Sequence, residues 1–256
     1  MNFVQYFYTI LLRIWVPLFL MNDVENAKKH VTELFDRISP VYDLVNQIVS
    51  FGVDRRWRKA ILAHIPVEPE QTLVDLATGT AAQILALSKS PYVGKFYGFD
   101  LSTNMLALGQ KKLAKRGLKK KTLLQVGNAL SVPVANQFCD IATISFGIRN
   151  VTEPLKCLSE MHRILKPGGS CFVLEFSIPT LKLIKLPYLF YLRKILPKIG
   201  SLLSKNKEAY TYLNQTIESF PSGDAFLQMM ETAGFTSCKQ LPLSFGIASL
   251  YSAKRP

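Results

Sequence analysis

The chain has 256 residues, of which 48% are hydrophobic and 19% are charged, and its formal net charge is +13. This length is enough for one domain with a sizeable core, and the composition excludes an intrinsically disordered protein. The four cysteines and three histidines form no CxxC or HExxH pattern, which argues against a disulfide framework or a metal site and predicts reduced, buried thiols.

The N-terminal segment MNFVQYFYTILLRIWVPLFL is apolar over nearly its whole length, close to the ~20 residues that a membrane-spanning helix needs. Arg13 and Pro17 interrupt the run and no basic residue precedes it, which argues against a secretory signal. Two interpretations stay open for residues 1–21, namely a membrane-surface segment or an extension upstream of a true start at Met21. The second is favoured because MNDVENAKK is typical of a cytosolic beginning.

From residue 22 onward the chain is expected to form one domain, with a helical cap over about 22–65. Helical spacing occurs at 23–36, 40–50 and 54–64. The strands predicted next are 72–76, 95–100, 122–126, 140–146 and 171–176, and the helices predicted between them are 81–89, 103–116 and 153–165. This alternation predicts an α/β fold in which a mostly parallel sheet is covered on both faces.

The C-terminal part begins with a predicted helical insertion over about 178–220. It contains the apolar and basic stretch LKLIKLPYLFYLRKILPKIGSLL, which Pro187 and Pro197 are expected to divide into short helices. The remaining predicted elements are a helix at 223–233 and strands at 235–242 and 245–253. The two strands predict a hairpin that gives the sheet an antiparallel edge.

The segment TLVDLATGTAAQIL resembles the strand, glycine loop and helix of a nucleotide-binding site. Gly79 stands where the backbone approaches the ligand, and Ala81 stands where another glycine usually allows close helix packing. Asp75 ends the strand, and Thr80 adds a hydroxyl at the helix N-terminus, which suits a carboxylate. The loop alone would be read as an ordinary turn.

Polar residues after the neighbouring strands change that interpretation. Asp100 ends the second predicted strand, where an acid accepts hydrogen bonds from ribose hydroxyls, and Asn128 follows the third, where it can meet a base edge. S-adenosylmethionine fits these residues better than a dinucleotide, because it has a carboxylate, a ribose and an adenine but no pyrophosphate. The turn predicted at ILKPGG (164–169) agrees, while SFGIRN (145–150) lacks the DPPY-like motif of adenine methylases.

Five segments together resemble the UbiE-type quinone C-methyltransferases, from about residue 26 to the C-terminus. They are YDLVNQIVSFGVDRRWR, DLATGTA, TISFGIRNV, RILKPGG and VLEFS. The resemblance implies a class I methyltransferase fold with a seven-stranded sheet, and methylation of a ring carbon of a prenylated quinol. It also implies a set of cofactor-binding residues, which are Thr80, Asp100, Asn128, Ala129 and Ser145.

Ring methylation requires a phenolic proton to leave and the phenolate to be stabilised. Arg149, directly after the fourth predicted strand, can supply fixed positive charge, or it can form a structural salt bridge. Asn150 can bond a ring oxygen, and Phe146 is expected to contact the substrate. Tyr42, Asp43 and Asn46 lie on a predicted helix that can cover the site. The first two are candidates for the proton relay, and Asn46 is a candidate for substrate binding.

The expected partners are the prenylated quinol and a membrane surface, not nucleic acid, and a homo-oligomer is left open. The basic stretch KKLAKRGLKKK is read either as a solvated helix end or as a membrane contact, with RNA less favoured. We therefore expect a cytoplasmic enzyme associated peripherally with the cytoplasmic membrane. Two alternatives stay open, which are a methyltransferase for another lipid or for RNA and a non-catalytic S-adenosylmethionine-binding protein. The sequence does not distinguish menaquinone from ubiquinone precursors.

Overall fold

The computed structural model describes residues 42–50, 52–198 and 207–256, together with Glu33, Asp36 and Ser39. The N-terminal extension and most of the helix predicted at 23–36 lie outside the described residues.

A seven-stranded sheet in the order β3-β2-β1-β4-β5-β7-β6 forms the centre of the domain. Its strands are β1 Gln71–Leu76, β2 Val93–Asp100, β3 Thr122–Val126, β4 Cys139–Ser145, β5 Leu165–Phe176, β6 Thr236–Leu243 and β7 Ala248–Lys254. Strands β1 to β5 pair in parallel, whereas β7 runs antiparallel to both β5 and β6. The predicted α/β fold and the C-terminal hairpin are confirmed. The antiparallel strand itself is β7, which lies one position in from the edge strand β6.

Helices cover the sheet, and most begin and end within a few residues of their predicted bounds. They are α1 Tyr42–Val49, α2 Asp54–Ala60, α3 Ala82–Leu87, α4 Thr103–Lys115, α5 Pro154–Ile164, α6 Lys182–Phe190, α7 Lys207–Ser219 and α8 Asp224–Thr232. Short 3-10 turns span Ile61–His64, Ile148–Asn150 and Ser244–Gly246. Within the described ranges, no helix is both long and apolar enough to cross a bilayer.

The central strands bury side chains on both faces, which explains why they read as nearly continuous apolar runs. Leu73 and Ile141 belong to one hydrophobic cluster, while their neighbours Val74 and Ala142 belong to the other. Because successive residues of a strand point to opposite faces, one apolar run supplies both clusters. Because strands β1 to β5 run parallel, their carboxyl ends lie at one edge of the sheet, and the loops that follow them are neighbours.

Strand β5 begins at Leu165, although the residues from 164 to 169 were predicted to form a turn. The Gly168 amide donates to the Arg255 carbonyl at 2.9 Å, and the Arg255 amide donates to Gly169 at 3.0 Å. Pairing with the chain end therefore continues through the glycines. Gly168 has a φ of +77°, which bends the strand without ending it. Contacts distant in sequence thus overrode the local turn signal.

Pro187 lies inside α6 and does not end it, contrary to the prediction. The helix passes through a π-helical segment at Tyr191–Ile195 and stays helical to residue 198, so Pro197 also lies within it. A proline deprives the carbonyl four residues earlier of its donor, and here that residue, Leu183, is 78% exposed. Water can replace the missing bond, so the helix continues along the domain.

Candidate active site

Asp75, near the end of β1, is hydrogen-bonded to the loop that follows this strand and to the neighbouring strand β4. Its carboxylate accepts hydrogen bonds from the hydroxyls of Thr78 at 2.7 Å and Thr143 at 2.6 Å. Burial raises the pKa of Asp75 to about 6, although both hydroxyls act in the opposite direction. Both carboxylate oxygens are therefore bonded within the protein, and Asp75 acts by shaping the cofactor loop.

The cofactor loop has positive φ at three alternating residues, with values of 47° at Ala77, 54° at Gly79 and 60° at Ala81. Ala81 is left-handed at the start of α3, which for an L-residue costs roughly 1–2 kcal/mol. This alanine therefore adds backbone strain to the predicted loss of packing clearance, since its Cβ would lie only 3.3 Å from a Cβ added at Gly109. Gly109 of α4 supplies the close packing, since a Cβ there would lie 3.2 Å from the Thr80 carbonyl carbon.

Asp100, at the end of β2, joins the first two loops. One carboxylate oxygen accepts from the Gly79 amide at 2.8 Å, and the other accepts from the Ser102 amide at 2.9 Å. Burial raises the pKa of Asp100, and these backbone bonds oppose the shift. The predicted ribose acceptor therefore lies against the predicted close-approach glycine, as one ligand bound across both loops would require.

The other predicted cofactor residues lie on the neighbouring loops. The Asn128 side-chain oxygen accepts from the Leu130 amide at 3.1 Å and shapes the turn after β3, in which Ala129 is only 9% exposed. Ser145, at the end of β4, donates its hydroxyl to the side-chain oxygen of Gln83 at 2.9 Å. Thr80 is buried in the cofactor loop.

These four loops form an elongated set of hydrogen-bonding groups at the ends of β3, β2, β1 and β4. The Asp100 carboxylate lies in the middle, with the start of α3 on one side and the turn shaped by Asn128 on the other. The loop at 77–81 contains a single glycine, fewer than a pyrophosphate-binding loop usually carries. The loops therefore fit S-adenosylmethionine better than a dinucleotide, and Asp100 stays the predicted acceptor for its ribose.

Arg149 lies in the 3-10 turn after β4 and forms a buried ion pair with Glu175 of β5. Its Nη1 donates to Glu175 Oε1 at 2.6 Å and to the Phe146 carbonyl at 2.8 Å. The two side chains are only 4% and 1% exposed. The Glu175 carboxylate also accepts from the Phe176 amide at 2.9 Å, which fixes its orientation. Of the two interpretations of Arg149, the salt bridge is thus observed.

The ion pair does not occupy every polar atom at this position. Arg149 Nε and Asn150 Oδ1 are buried and have no hydrogen-bond partner among the described residues. Buried polar groups in folded proteins are nearly always bonded, so such a pair of atoms calls for an explanation. Arg149 Nε can donate to an anionic oxygen of a ligand, and Asn150 Oδ1 can accept from a hydroxyl. Together they can bind a ligand that carries both groups.

Phe146 lies in an aromatic cluster beneath these polar groups. Its ring centroid is 4.6 Å from Phe176 and 6.2 Å from Trp57, and the Arg58 guanidinium lies 4.9 Å above it. Phe146 is 2% exposed and has a φ of 58°, a conformation that a bulky residue rarely adopts. The residue predicted to contact substrate is therefore packed in the hydrophobic core, and its contact with substrate stays a prediction.

Helix α1 carries Tyr42 and Asp43 in its first turn, and their side chains lie outside the described part of the structure. The helix is fixed to the segment after α6, because the Tyr191 hydroxyl donates to the Ile48 carbonyl at 3.0 Å. The covering of the site by α1 and the two proton-relay roles stay predictions.

Asn46, also on α1, is 7% exposed and lines a groove of about 730 Å³ between α2, α3 and α4. The groove is lined largely by basic residues, which are Arg55, Arg58, Lys59, Lys89, Lys112, Lys115 and Arg116. Part of the predicted basic stretch therefore lines this groove. Arg58 connects the groove to the aromatic cluster, whereas Asn46 is not shown in contact with Arg149 or Asn150.

Glu175 and Tyr188 were missed as candidate residues when the sequence alone was considered. Glu175 had a recognisable signal, because it is the single acid in the apolar strand segment CFVLEF. Tyr188 had none, because it stands in a stretch with two other tyrosine or phenylalanine residues. Its burial depends on which face of α6 turns inward.

Comparison with proteins of known structure places the fold among methyltransferases. A methyltransferase dependent on S-adenosylmethionine from Aquifex aeolicus has a TM-score of 0.53 at 18% identity and covers 77% of this chain and 88% of its own. Phosphoethanolamine N-methyltransferase 2 of Haemonchus contortus, solved with S-adenosylhomocysteine, has a TM-score of 0.61 at 14% identity and covers 88% of this chain and 60% of its own. At such identities, the likeness shows the fold.

Sequence comparison is more specific. The ubiquinone/menaquinone biosynthesis C-methyltransferase UbiE of Syntrophotalea carbinolica is 44% identical over 92% of this chain and 98% of its own length. The demethylmenaquinone methyltransferase of Geobacillus stearothermophilus is 37% identical over 89% of this chain and 97% of its own. The family model described as the ubiE/COQ5 methyltransferase family matches residues 21–255. The chain therefore belongs to the ubiE/COQ5 methyltransferase family.

Proposed function

We propose that the chain transfers the methyl group of S-adenosylmethionine to a ring carbon of a prenylated quinol. The reaction would convert demethylmenaquinol to menaquinol, 2-polyprenyl-6-methoxy-benzoquinol to its 3-methyl derivative, or both. The names of the relatives support this substrate class. The observation that carries the proposal is the buried Arg149–Glu175 pair, which leaves Arg149 Nε without a partner beside the loop that follows β4.

The residues of this chain have two tasks in such a reaction. Bound S-adenosylmethionine supplies an already activated methyl group, so the protein must position the ring and stabilise charge on its oxygen. Arg149 Nε donates to the phenolate oxygen, and Glu175 fixes the guanidinium through Nη1. Asn150 Oδ1 accepts from the remaining hydroxyl of the quinol. Tyr42 or Asp43 of α1 relays the phenolic proton away from the substrate. After the methyl group has bonded to the ring carbon, the hydrogen of that carbon leaves as a proton, which restores the aromatic ring, and S-adenosylhomocysteine is the other product.

The direct test is methyl transfer from labelled S-adenosylmethionine to reduced short-chain demethylmenaquinone, with the oxidised quinone as the matched control. Only the quinol should be methylated, because the quinone lacks both the acidic proton and the electron density at the ring carbon. Equal activity on the two forms would contradict the mechanism. Failure to bind S-adenosylmethionine in calorimetry would favour a non-catalytic protein, and activity on RNA or on another lipid would replace the proposed substrate.

Asp100→Ala should weaken S-adenosylmethionine binding by ~1–3 kcal/mol, because the ribose hydroxyls lose a charged acceptor. The change also removes the acceptor for two backbone amides. Asp140→Ala is the matched control, because Asp140 accepts from the Thr72 amide at 2.8 Å beside the opposite end of β1. Calorimetry should show a loss of affinity for the first variant alone. Equal affinities would show that Asp100 does not contact the ribose.

We also propose that the domain attaches peripherally to an anionic membrane surface through one face of α6, here called the docking face. It consists of the exposed apolar residues Leu181, Leu183, Leu186 and Phe190, which are 60%, 78%, 68% and 61% exposed. Lys182, Lys185 and Lys194 are interspersed along the same helix, and they suit anionic headgroups. Tyr188 and Leu192 are buried on the opposite side, so the helix is amphipathic in place.

The double change Leu183→Asp and Leu186→Asp should lower binding to vesicles that contain phosphatidylserine by about tenfold or more, because two exposed leucines are replaced by carboxylates that the anionic headgroups repel. Leu123→Asp is the control, because Leu123 is 51% exposed at the other edge of the sheet. Co-sedimentation measures binding, and activity on a short-tailed quinol should stay near normal. Unchanged sedimentation of the double variant would overturn the assignment of the docking face.

A further inference from the structure

The hydroxyl of Tyr188 is a buried polar group for which the fold supplies no partner. Tyr188 stands on α6 and is 4% exposed, and its hydroxyl has no hydrogen-bond partner among the described residues. Leaving such a group unbonded in the protein interior is unfavourable, so a ligand that bonds to it would recover a measurable free energy. Tyr191, one turn further along the chain, differs in that its hydroxyl bonds to the Ile48 carbonyl.

Tyr188 shares its surroundings with the Arg149–Glu175 pair. It belongs to the same hydrophobic cluster as Phe146 and Phe176, the two rings that contact the arginines of the site. Burial raises the pKa of the Tyr188 phenol, and the Arg149 charge acts in the opposite direction. The unpartnered hydroxyl therefore lies near the Arg149–Glu175 pair.

Three unpartnered polar atoms, on Arg149, Asn150 and Tyr188, have complementary hydrogen-bonding capacities. Arg149 Nε only donates, Asn150 Oδ1 only accepts, and the Tyr188 hydroxyl does both. A hydroquinone monoanion has one oxygen that only accepts and one hydroxyl that also donates. The anion therefore satisfies all three atoms, whereas an oxidised quinone, which has no donor, leaves Asn150 Oδ1 unbonded.

We propose that Tyr188 is a substrate-binding residue whose hydroxyl donates a hydrogen bond to a ring oxygen of the quinol. The inference rests on the proposed function and names a contact that α6 makes with the ring of the substrate. Because the docking face lies on the other side of the same helix, α6 connects the membrane surface to the ring-binding site. The phenol stays protonated, so it acts as a donor and takes no proton from the substrate.

Tyr188→Phe removes only the hydroxyl and keeps the ring that packs in the cluster. The KM for a reduced short-tailed quinol should rise about tenfold, as expected for one lost bond to a buried partner. Affinity for S-adenosylmethionine and the shape of the pH profile of kcat should be unchanged. Tyr251→Phe is the matched control. The Tyr251 hydroxyl accepts from the Gly223 amide at 2.9 Å in the other hydrophobic cluster, so this change should lower the Tm while leaving KM near the wild-type value.

Calorimetric binding of the reduced quinol, with S-adenosylhomocysteine present, separates this inference from the proposed function. Binding by the wild type without methylation would reject the proposed function, while weaker binding by Tyr188→Phe would still support the contact. If the Tyr188→Phe enzyme were active, with the KM and the quinol affinity of the wild type, the Tyr188 contact would be wrong while the proposed function would stand. If Tyr188→Phe lost the alkaline limb of the pH profile, Tyr188 would be a base, and the proposed donor role would be wrong. If the wild type did not bind the reduced quinol, both the proposed function and the proposed contact would be rejected.

Discussion

Glu175→Gln should lower the free energy of unfolding by about 3–5 kcal/mol, the usual effect of removing one partner from a buried ion pair. Gln keeps the shape of Glu and can still accept from the Phe176 amide, which donates to Glu175 at 2.9 Å. The loss would therefore come from the Arg149 charge, which stays 4% exposed in a site without its counter-ion. Reversible urea unfolding measures this difference.

Glu153→Gln is the control for that experiment. Glu153 pairs with Lys156 at 3.5 Å, but their side chains are 49% and 57% exposed. Solvent screens such a pair, so its loss should change stability by only ~0–1 kcal/mol. If both variants lost the same small amount, the Arg149–Glu175 contact would not be a desolvated pair, and the structural basis of the proposed site would be wrong.

Arg149→Lys should lower kcat on the order of 10²-fold, the typical loss for one oriented donor to a developing anion. An arginine can bond Glu175 and the Phe146 carbonyl through Nη1 while Nε is still directed elsewhere. A lysine has a single nitrogen at the end of its chain, so it keeps the ion pair or reaches the ring oxygen, but not both. Affinity for S-adenosylmethionine should stay near normal, because none of its proposed contacts is changed.

Raising the pH should partly restore the turnover of Arg149→Lys, since a larger fraction of the quinol is then ionised before it binds. Arg163→Lys is the matched control, because Arg163 donates to Glu160 and to the Val132 and Val134 carbonyls on a different face. It should lose stability but retain kcat. Wild-type turnover in Arg149→Lys, or a pH profile parallel to that of the wild type, would contradict the phenolate mechanism.

Much of the cofactor site was predictable because parallel strands end at a common edge. Asp100 and Asn128 each follow a strand that reads as a short apolar run, so their proximity to the loop of Gly79 required no knowledge of side-chain contacts. The structure confirms that these elements are neighbours, since Asp100 bonds the Gly79 amide directly. The sequence could not show that Ala81 is left-handed, because alanine does not itself favour that conformation.

The amino-acid sequence by itself determined the order of strands and helices, the paired hydrophobic faces of the sheet and the positions of the polar residues after its strands. These features arise from local periodicity and from the direction of parallel strands. Only the tertiary structure decided the partners of Arg149 and of Tyr191, which lie 26 and 143 residues away along the chain. Such pairings depend on the path of the whole backbone, and so does the orientation of α6, which leaves Leu183 exposed and Tyr188 buried.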